Sequence, residues 1–202
     1  MKRLLVILFA LVAYSAGAQN SGVEVLEAMS SKIASLGSYC IDFEVEMASA
    51  EVASEGHCLI SGPLYRIEIE PMMQGYDGEK RWVVDGLAKE VIYDEPMAES
   101  RNLFDNPTLA FDFKEGLFKI VKFDASQKGL WRLTLDPEKG VLDGIDSVVL
   151  YVDKATKLPT KLGYEMSGVA IYVNILKIAH QECSVADFAV IPEEGFEVVD
   201  FR

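Results

Sequence analysis

A period of two recurs along this chain and sets the terms for any fold it can adopt. Ile41, Phe43, Val45 and Met47 alternate with Asp42, Glu44 and Glu46. Tyr65, Ile67 and Ile69 alternate with Arg66, Glu68 and Glu70, and Trp82 and Val84 with Arg81 and Asp85. The pattern returns in Trp131, Leu133 and Leu135, then in Leu162, Tyr164 and Met166. Side chains of a strand point to opposite faces in turn, so each run reads as a strand with one apolar and one polar face. The stretch from Gly56 to Val84 reads as two such strands joined by a turn at Asp77-Gly78, because glycine accepts the positive φ of a tight hairpin.

Two segments break the pattern. Val25, Leu26, Met29, Ile33 and Leu36 recur at helical spacing behind Ser21-Gly22-Val23-Glu24, which has the form of a capping box, and Gly37 is a natural stop. These features predict an amphipathic helix over residues 22–36. Residues 97–113 also lose the alternation. Asn106-Pro107 is a helix-start signal, and Leu103, Phe104, Leu109, Phe111 and Phe113 make the segment unusually apolar. It reads as a short inserted helix that covers apolar surface, as a lid or simply as a plug of the core. The remaining strands fall at residues 89–93, 118–123, 131–135, 145–152, 162–166, 169–178 and 196–201. The sum is mainly β with α: an open, incomplete antiparallel β-barrel of about ten or eleven strands, its concave face covered by the N-terminal helix and the inserted lid.

The N-terminus is of another kind. Lys2 and Arg3 precede an unbroken apolar run, Leu4 to Ala13, and Ala16-Gly17-Ala18 has the small residues of a cleavage site. Residues 1–18 therefore read as a secretory signal peptide cut near Ala18, with 19–202 as a single domain in the periplasm. The run is too short for a bilayer-spanning helix. Its removal takes Lys2 and Arg3 and no acid, moving the formal charge from -13 to -15. A chain this acidic is a poor ligand for nucleic acid and is repelled by anionic membranes, so no stable membrane insertion is expected. Cys40, Cys58 and Cys183 make an odd number. In a symmetric hairpin about Ser49, Cys40 would face Cys58, which leaves a cross-strand disulfide open to them; the alternative is three small buried hydrophobes.

Enzyme chemistry leaves little trace. His57 and His180 are the two histidines, and His180 with Cys183 falls short of the four ligands of a closed zinc site. Cys-x-x-Cys, Gly-x-Ser-x-Gly and phosphate-binding glycine loops are missing from the sequence. The carboxylates alternate outward along strands, as a solvated face does. Catalytic residues, metal and cofactor are accordingly all expected to be none. Binding needs only shape and apolar surface, and Phe43, Tyr65, Ile67, Trp82, Trp131, Leu133, Leu162 and Tyr164 supply more of it than two helices can bury.

An ordered set of features resembles the LolA-type periplasmic carriers of outer-membrane lipoproteins, in a diverged, Bacteroidetes-like branch. The set comprises the exported N-terminal helix, the strand Tyr39 to Met47, Gly56-x-x-Leu59, Pro63 with Tyr65-Arg66, Asp77-Gly78, Trp82-x-Val84, the apolar insert, Trp131 to Pro137, and Pro192 to Asp200. The resemblance implies a chaperone that holds the acyl chains of lipoproteins in an apolar cavity and carries them from the inner to the outer membrane. It also implies a monomer whose partners are acylated lipoproteins, an inner-membrane lipoprotein-releasing ABC transporter and an outer-membrane acceptor. Phe43, Tyr65, Ile67, Trp82, Val84, Leu133, Leu162 and Tyr164 would then line the cavity, and Leu103, Phe104, Leu109, Phe111 and Phe113 would form the lid. The carriers often place a basic latch before the strand proline. Gly62 stands there in this chain, with Arg66 and Arg101 as conceivable substitutes. The same fold also suits a second role, an extracytoplasmic lipid-binding or protein-interaction sensor domain.

Overall fold

The structure, a computed structural model, describes residues 21–47, 53–95, 113, 117–138, 142 and 144–202. Its framework is one twelve-stranded sheet. In chain order the strands are β1 (Ser38–Met47), β2 (Ser54–Ser61), β3 (Leu64–Ile69), β4 (Met72–Tyr76), β5 (Arg81–Asp85), β6 (Glu90–Asp94), β7 (Phe118–Asp124), β8 (Leu130–Pro137), β9 (Ser147–Asp153), β10 (Pro159–Met166), β11 (Val169–His180) and β12 (Glu197–Asp200). Their spatial order is β12-β6-β5-β4-β3-β2-β1-β11-β10-β9-β8-β7. The end strands β7 and β12 do not pair with each other, so the barrel stays open and incomplete. Two antiparallel meanders, β1–β6 and β7–β11, meet at the β1–β11 pairing.

The expected strand count falls short by the pieces that alternation conceals. The stretch Gly56 to Val84 holds not two strands but the end of β2, then β3, β4 and most of β5. β4 escaped notice because Met72, Met73, Gln74 and Gly75 have no clean period of two. β12 is parallel to β6, unlike every other pair. A meander cannot make that contact. Residues 181–196 do so by crossing one face of the sheet from β11 to its far edge.

The turns follow from residue chemistry. Ser61 pairs with Leu64, which leaves Gly62-Pro63 as a two-residue turn, and Gly62 takes φ +56°. Ser167 and Gly168, with φ of 51° and 81°, close the β10–β11 hairpin. At Asp77-Gly78 the carboxylate Oδ1 of Asp77 accepts from the amides of Glu79 and Lys80, at 3.0 and 2.9 Å.

Residues 21–34 form helix α1. Ser21 is already helical, one residue before the expected start at 22. Gly37, at φ +71°, ends the segment as expected. Val25, Leu26 and Met29 point into the largest core cluster with Leu133, Leu135, Val148, Leu150, Leu162 and Tyr164. Each such burial contributes roughly 1.5–3 kcal/mol before the entropy of ordering is subtracted. Gly22 sits so close to β7 and β8 that a Cβ there would lie 2.9 Å from Ile120 Cδ1. The missing side chain is what lets α1 lie this close to the sheet at Gly22.

Candidate functional site

Cross-strand partners share a face, so the register alone sorts the side chains. One row runs Val45–Val173–Leu162–Leu150–Leu133–Phe123 across β1, β11, β10, β9, β8 and β7. The next runs Met47–Ile171–Tyr164–Val148–Leu135–Ile120 over the same strands. Both rows are apolar throughout, and both lie on the face that α1 covers. Across β1, β2 and β3 the same face carries Ile41, Phe43, Cys58, Ile60, Tyr65 and Ile67, a second cluster to which α1 contributes no residue. We call this the helix face. Burial pushes the Tyr164 phenol well above its usual range, which keeps it neutral in the apolar surroundings.

The opposite, strap face is organised differently. The row Cys40–Leu59–Arg66–Gly75–Trp82–Tyr93 lies there. Phe188, fully buried in the 3-10 turn Val185–Phe188, packs on Cys40 and Leu59, and Val190 and Phe196 pack on the Trp82 cluster. Trp82 Nε1–H donates to the Phe188 carbonyl at 2.8 Å, a buried bond that pins the strap to β5. A second row starts charged and ends apolar: Lys177–Asp42–His57–Glu68–Met73–Val84–Val91. His57 Nδ1 lies 2.6 Å from Asp42 Oδ1, and Lys177 Nζ 3.9 Å from Asp42 Oδ2.

The eight expected cavity residues therefore divide. Phe43, Tyr65, Ile67, Leu133, Leu162 and Tyr164 are brought together on the helix face. Trp82 and Val84 are not; they lie on the strap face, under the C-terminal segment. Alternation separates a strand into two sets but does not say which set belongs with which face, and the register decides that. Of the expected lid, Leu103, Phe104, Leu109 and Phe111 lie outside the described residues. Phe113 is buried in the α1 cluster, with its ring centroid 5.3 Å from that of Phe118. Sequence reasoning missed the strap residues Phe188, Val190 and Phe196. The signal was present in the consecutive apolar runs Tyr39-Cys40-Ile41 and Cys58-Leu59-Ile60, since neighbours buried together need cover on both faces.

Two further expectations change. Cys40 pairs with Leu59, and Cys58 with Ile41, one residue out of the symmetric register about Ser49. That slip puts the two thiols on opposite faces, and Cys40, Cys58 and Cys183 are all free. Arg66 is no latch toward α1. It sits on the strap face, paired with Glu68 and stacked 6.0 Å above the Trp82 ring. Gly62 is committed to its positive-φ turn, where a basic side chain would strain the backbone.

Among the described residues there is no group of three or more His, Cys, Asp or Glu side chains that could hold a metal ion. No helix among them is long and apolar enough to cross a membrane.

The architecture defines a class: a mainly β protein whose open sheet carries a helix on one face and a C-terminal strap on the other. No family model and no curated protein matches the sequence. Solved structures do match the fold. An uncharacterized conserved protein from Thermus thermophilus aligns at TM-score 0.59 and 12% identity, over 89% of this chain and 99% of that one. A putative outer membrane lipoprotein-sorting protein domain from Vibrio parahaemolyticus aligns at 0.50 and 12%, over 84% and 97%. A LolA superfamily protein from Nitrosomonas europaea aligns at 0.43 and 14%, over 83% and 96%. The chain shares its fold with the Thermus and Vibrio structures.

Proposed function

We propose that this protein is an exported carrier that holds the acyl chains of lipoproteins against its helix face. In this reading residues 1–18 are removed, and 19–202 act as one monomeric domain in the periplasm. The cargo is taken from an inner-membrane lipoprotein-releasing ABC transporter and passed to an outer-membrane acceptor, as a step in outer-membrane biogenesis. The observation that carries the proposal is the pair of uninterrupted apolar rows spanning β1, β11, β10, β9, β8 and β7. The middle of both rows is buried with α1, and their ends, Val45 and Met47, Ile171 and Val173, and Ile120 and Phe123, are left partly or fully exposed, where a hydrocarbon chain can be received. The lipoprotein-sorting name of the Vibrio fold neighbour supports the same reading.

The physics of exchange fits a protein without catalytic groups. Each methylene moved into water costs about 0.8 kcal/mol, so an acylated protein does not cross an aqueous space unaided. A donor membrane and an apolar sheet offer similar shelter, so transfer between them is nearly balanced and its direction is set by the partners.

The test is a photo-crosslinker placed at Phe123, at the end of a helix-face row, or at Tyr172 on the strap face. Incubation with a triacylated lipoprotein is expected to give adducts from position 123 and none from 172. Equal labelling at both positions, or normal lipoprotein sorting in cells depleted of the protein, would defeat the proposal.

A further inference from the structure

The strap face holds a pocket that the carrier role does not use. It lies where the row that begins with Lys177 turns apolar, over Met73, Val84 and Val91, and the strap roofs it with Val190 and Phe196. Its volume is about 460 Å³, within the range of roughly 300–1,000 Å³ that takes small ligands. A strap that merely sealed the sheet would fill this space. Instead Ile191, on the pocket's rim, turns away and is 87% exposed.

The charge around the pocket is of one sign. Among the described residues its ionisable lining side chains are Glu70 and Glu193. Neither is paired with a basic side chain among the described residues. Glu68 adjoins Met73 in the same row, with its own charge taken by Arg66. A fatty acid or phosphate head would meet two carboxylates on a protein of formal charge -13. An ammonium head would meet complementary charge there, and Phe196 in the lining is an aromatic side chain, a type to which quaternary ammonium is attracted.

We propose that this pocket binds a single-chain cationic amphiphile, with the hydrocarbon between Met73, Val84, Val91 and the strap and the ammonium head between Glu70 and Glu193. The site is independent of the helix face, from which it is separated by the sheet itself. Binding alters the strap, and the buried Trp82–Phe188 bond reports that change at β5.

The experiment uses the full mature chain with Trp131→Phe, so that Trp82 is the sole indole. Decyltrimethylammonium, decanoate and decanol are titrated below their micelle concentrations, with Trp82 emission and the Met73 methyl resonance as readouts. Decyltrimethylammonium is expected to saturate, shift the Met73 signal, and bind at least tenfold more tightly than decanoate. Glu70→Gln with Glu193→Gln, both at exposed positions, is expected to remove that preference while leaving decanol binding intact. Val190→Phe, which fills the pocket from the strap side, is expected to abolish all three. The proposal is overturned by equal affinity for the two charged chains, by binding that survives Val190→Phe, or by a Met73 signal that does not move.

Discussion

Gly75 is the position where a single methyl group tests the packing of the strap face. It pairs with Trp82 across β4 and β5, and the indole lies over the glycine. A Cβ at Gly75 would overlap Trp82 Cζ2, approach Cε2 to 2.6 Å, and come within 2.8 Å of the Tyr65 carbonyl oxygen. Neither neighbour gives easily. Trp82 is fully buried with its N–H held by Phe188, and the Tyr65 oxygen belongs to the backbone of β3. Gly75→Ala therefore forces the indole aside. Overpacking costs about 1–3 kcal/mol, and stranding the Phe188 carbonyl adds about 1–3 kcal/mol. The reduced freedom of the unfolded chain returns about 0.4–1 kcal/mol. The net loss is about 1–6 kcal/mol, or roughly 2–20 °C in Tm for a chain of this length. Urea unfolding, followed by far-ultraviolet circular dichroism, measures it. Because the clash is with the indole, Trp82→Phe in the same chain should relieve part of it, giving a coupling of at least about 1 kcal/mol in a double-mutant cycle. A Gly75→Ala variant within 0.5 kcal/mol of the parent, a difference ordinary for a surface site, would refute the reasoning. So would strict additivity with Trp82→Phe.

The remaining expectations concern thiols and pH. Burial, with Cys40 as a lesser influence, pushes the Cys58 thiol far up, and Cys40 is only 3% exposed. A native thiol titration should thus label half-buried Cys183 first, and Cys40 and Cys58 only on unfolding. A Cys40–Cys58 disulfide in a peptide map would contradict the register of β1 and β2. At the C-terminus, the Arg202 side chain and amide bring the Asp200 carboxyl down to about 2. A depressed folded value means the contribution is complete above the unfolded value of about 3.9 and is lost as pH falls through about 2. The Asp200 carboxyl resonance, and the protection of the β12 amides relative to their intrinsic exchange rates, should both be constant above pH about 4, and an ordinary aspartate midpoint would argue against the pairing.

Much of the sheet was legible in the sequence because alternation is a local property. β1, β3, β5, β8 and β10 announce themselves in runs of five to ten residues. What alternation lacks is any statement about neighbours. Trp82 and Tyr65 have the same pattern around them, yet lie on opposite faces, because Trp82 pairs with Gly75 and Tyr65 with Tyr76. The same limit left two readings open for Cys40 and Cys58, and a single residue of register decides for free, buried thiols. The strap was invisible as an element because its anchors, Phe188, Val190 and Phe196, have no period. Only the doubly apolar runs opposite them record that something must cover that side. Gly62 is the reverse case. It stands where the resemblance places a basic latch, and its φ of +56° is one that glycine adopts at the least cost.

The β1–β11 seam has a consequence for how the molecule is made. Each meander pairs strands that follow one another closely, so each can assemble locally as the chain emerges. The seam joins Tyr39–Met47 to Ile171–His180 in nine residue pairs, across more than half the length of the protein. Contacts that distant are slow to form, because the closure entropy of the intervening chain comes before any pairing offsets it. Until the seam closes, β1 and β11 are bare edges, each the right template for a strand from another molecule. The strap can settle only afterwards, since it leaves β11 and ends on β6. Synthesis therefore delivers two half-sheets and, after β11, the piece that locks them, so a chain that stops at β11 and lacks the strap would be a joined sheet with one face uncovered.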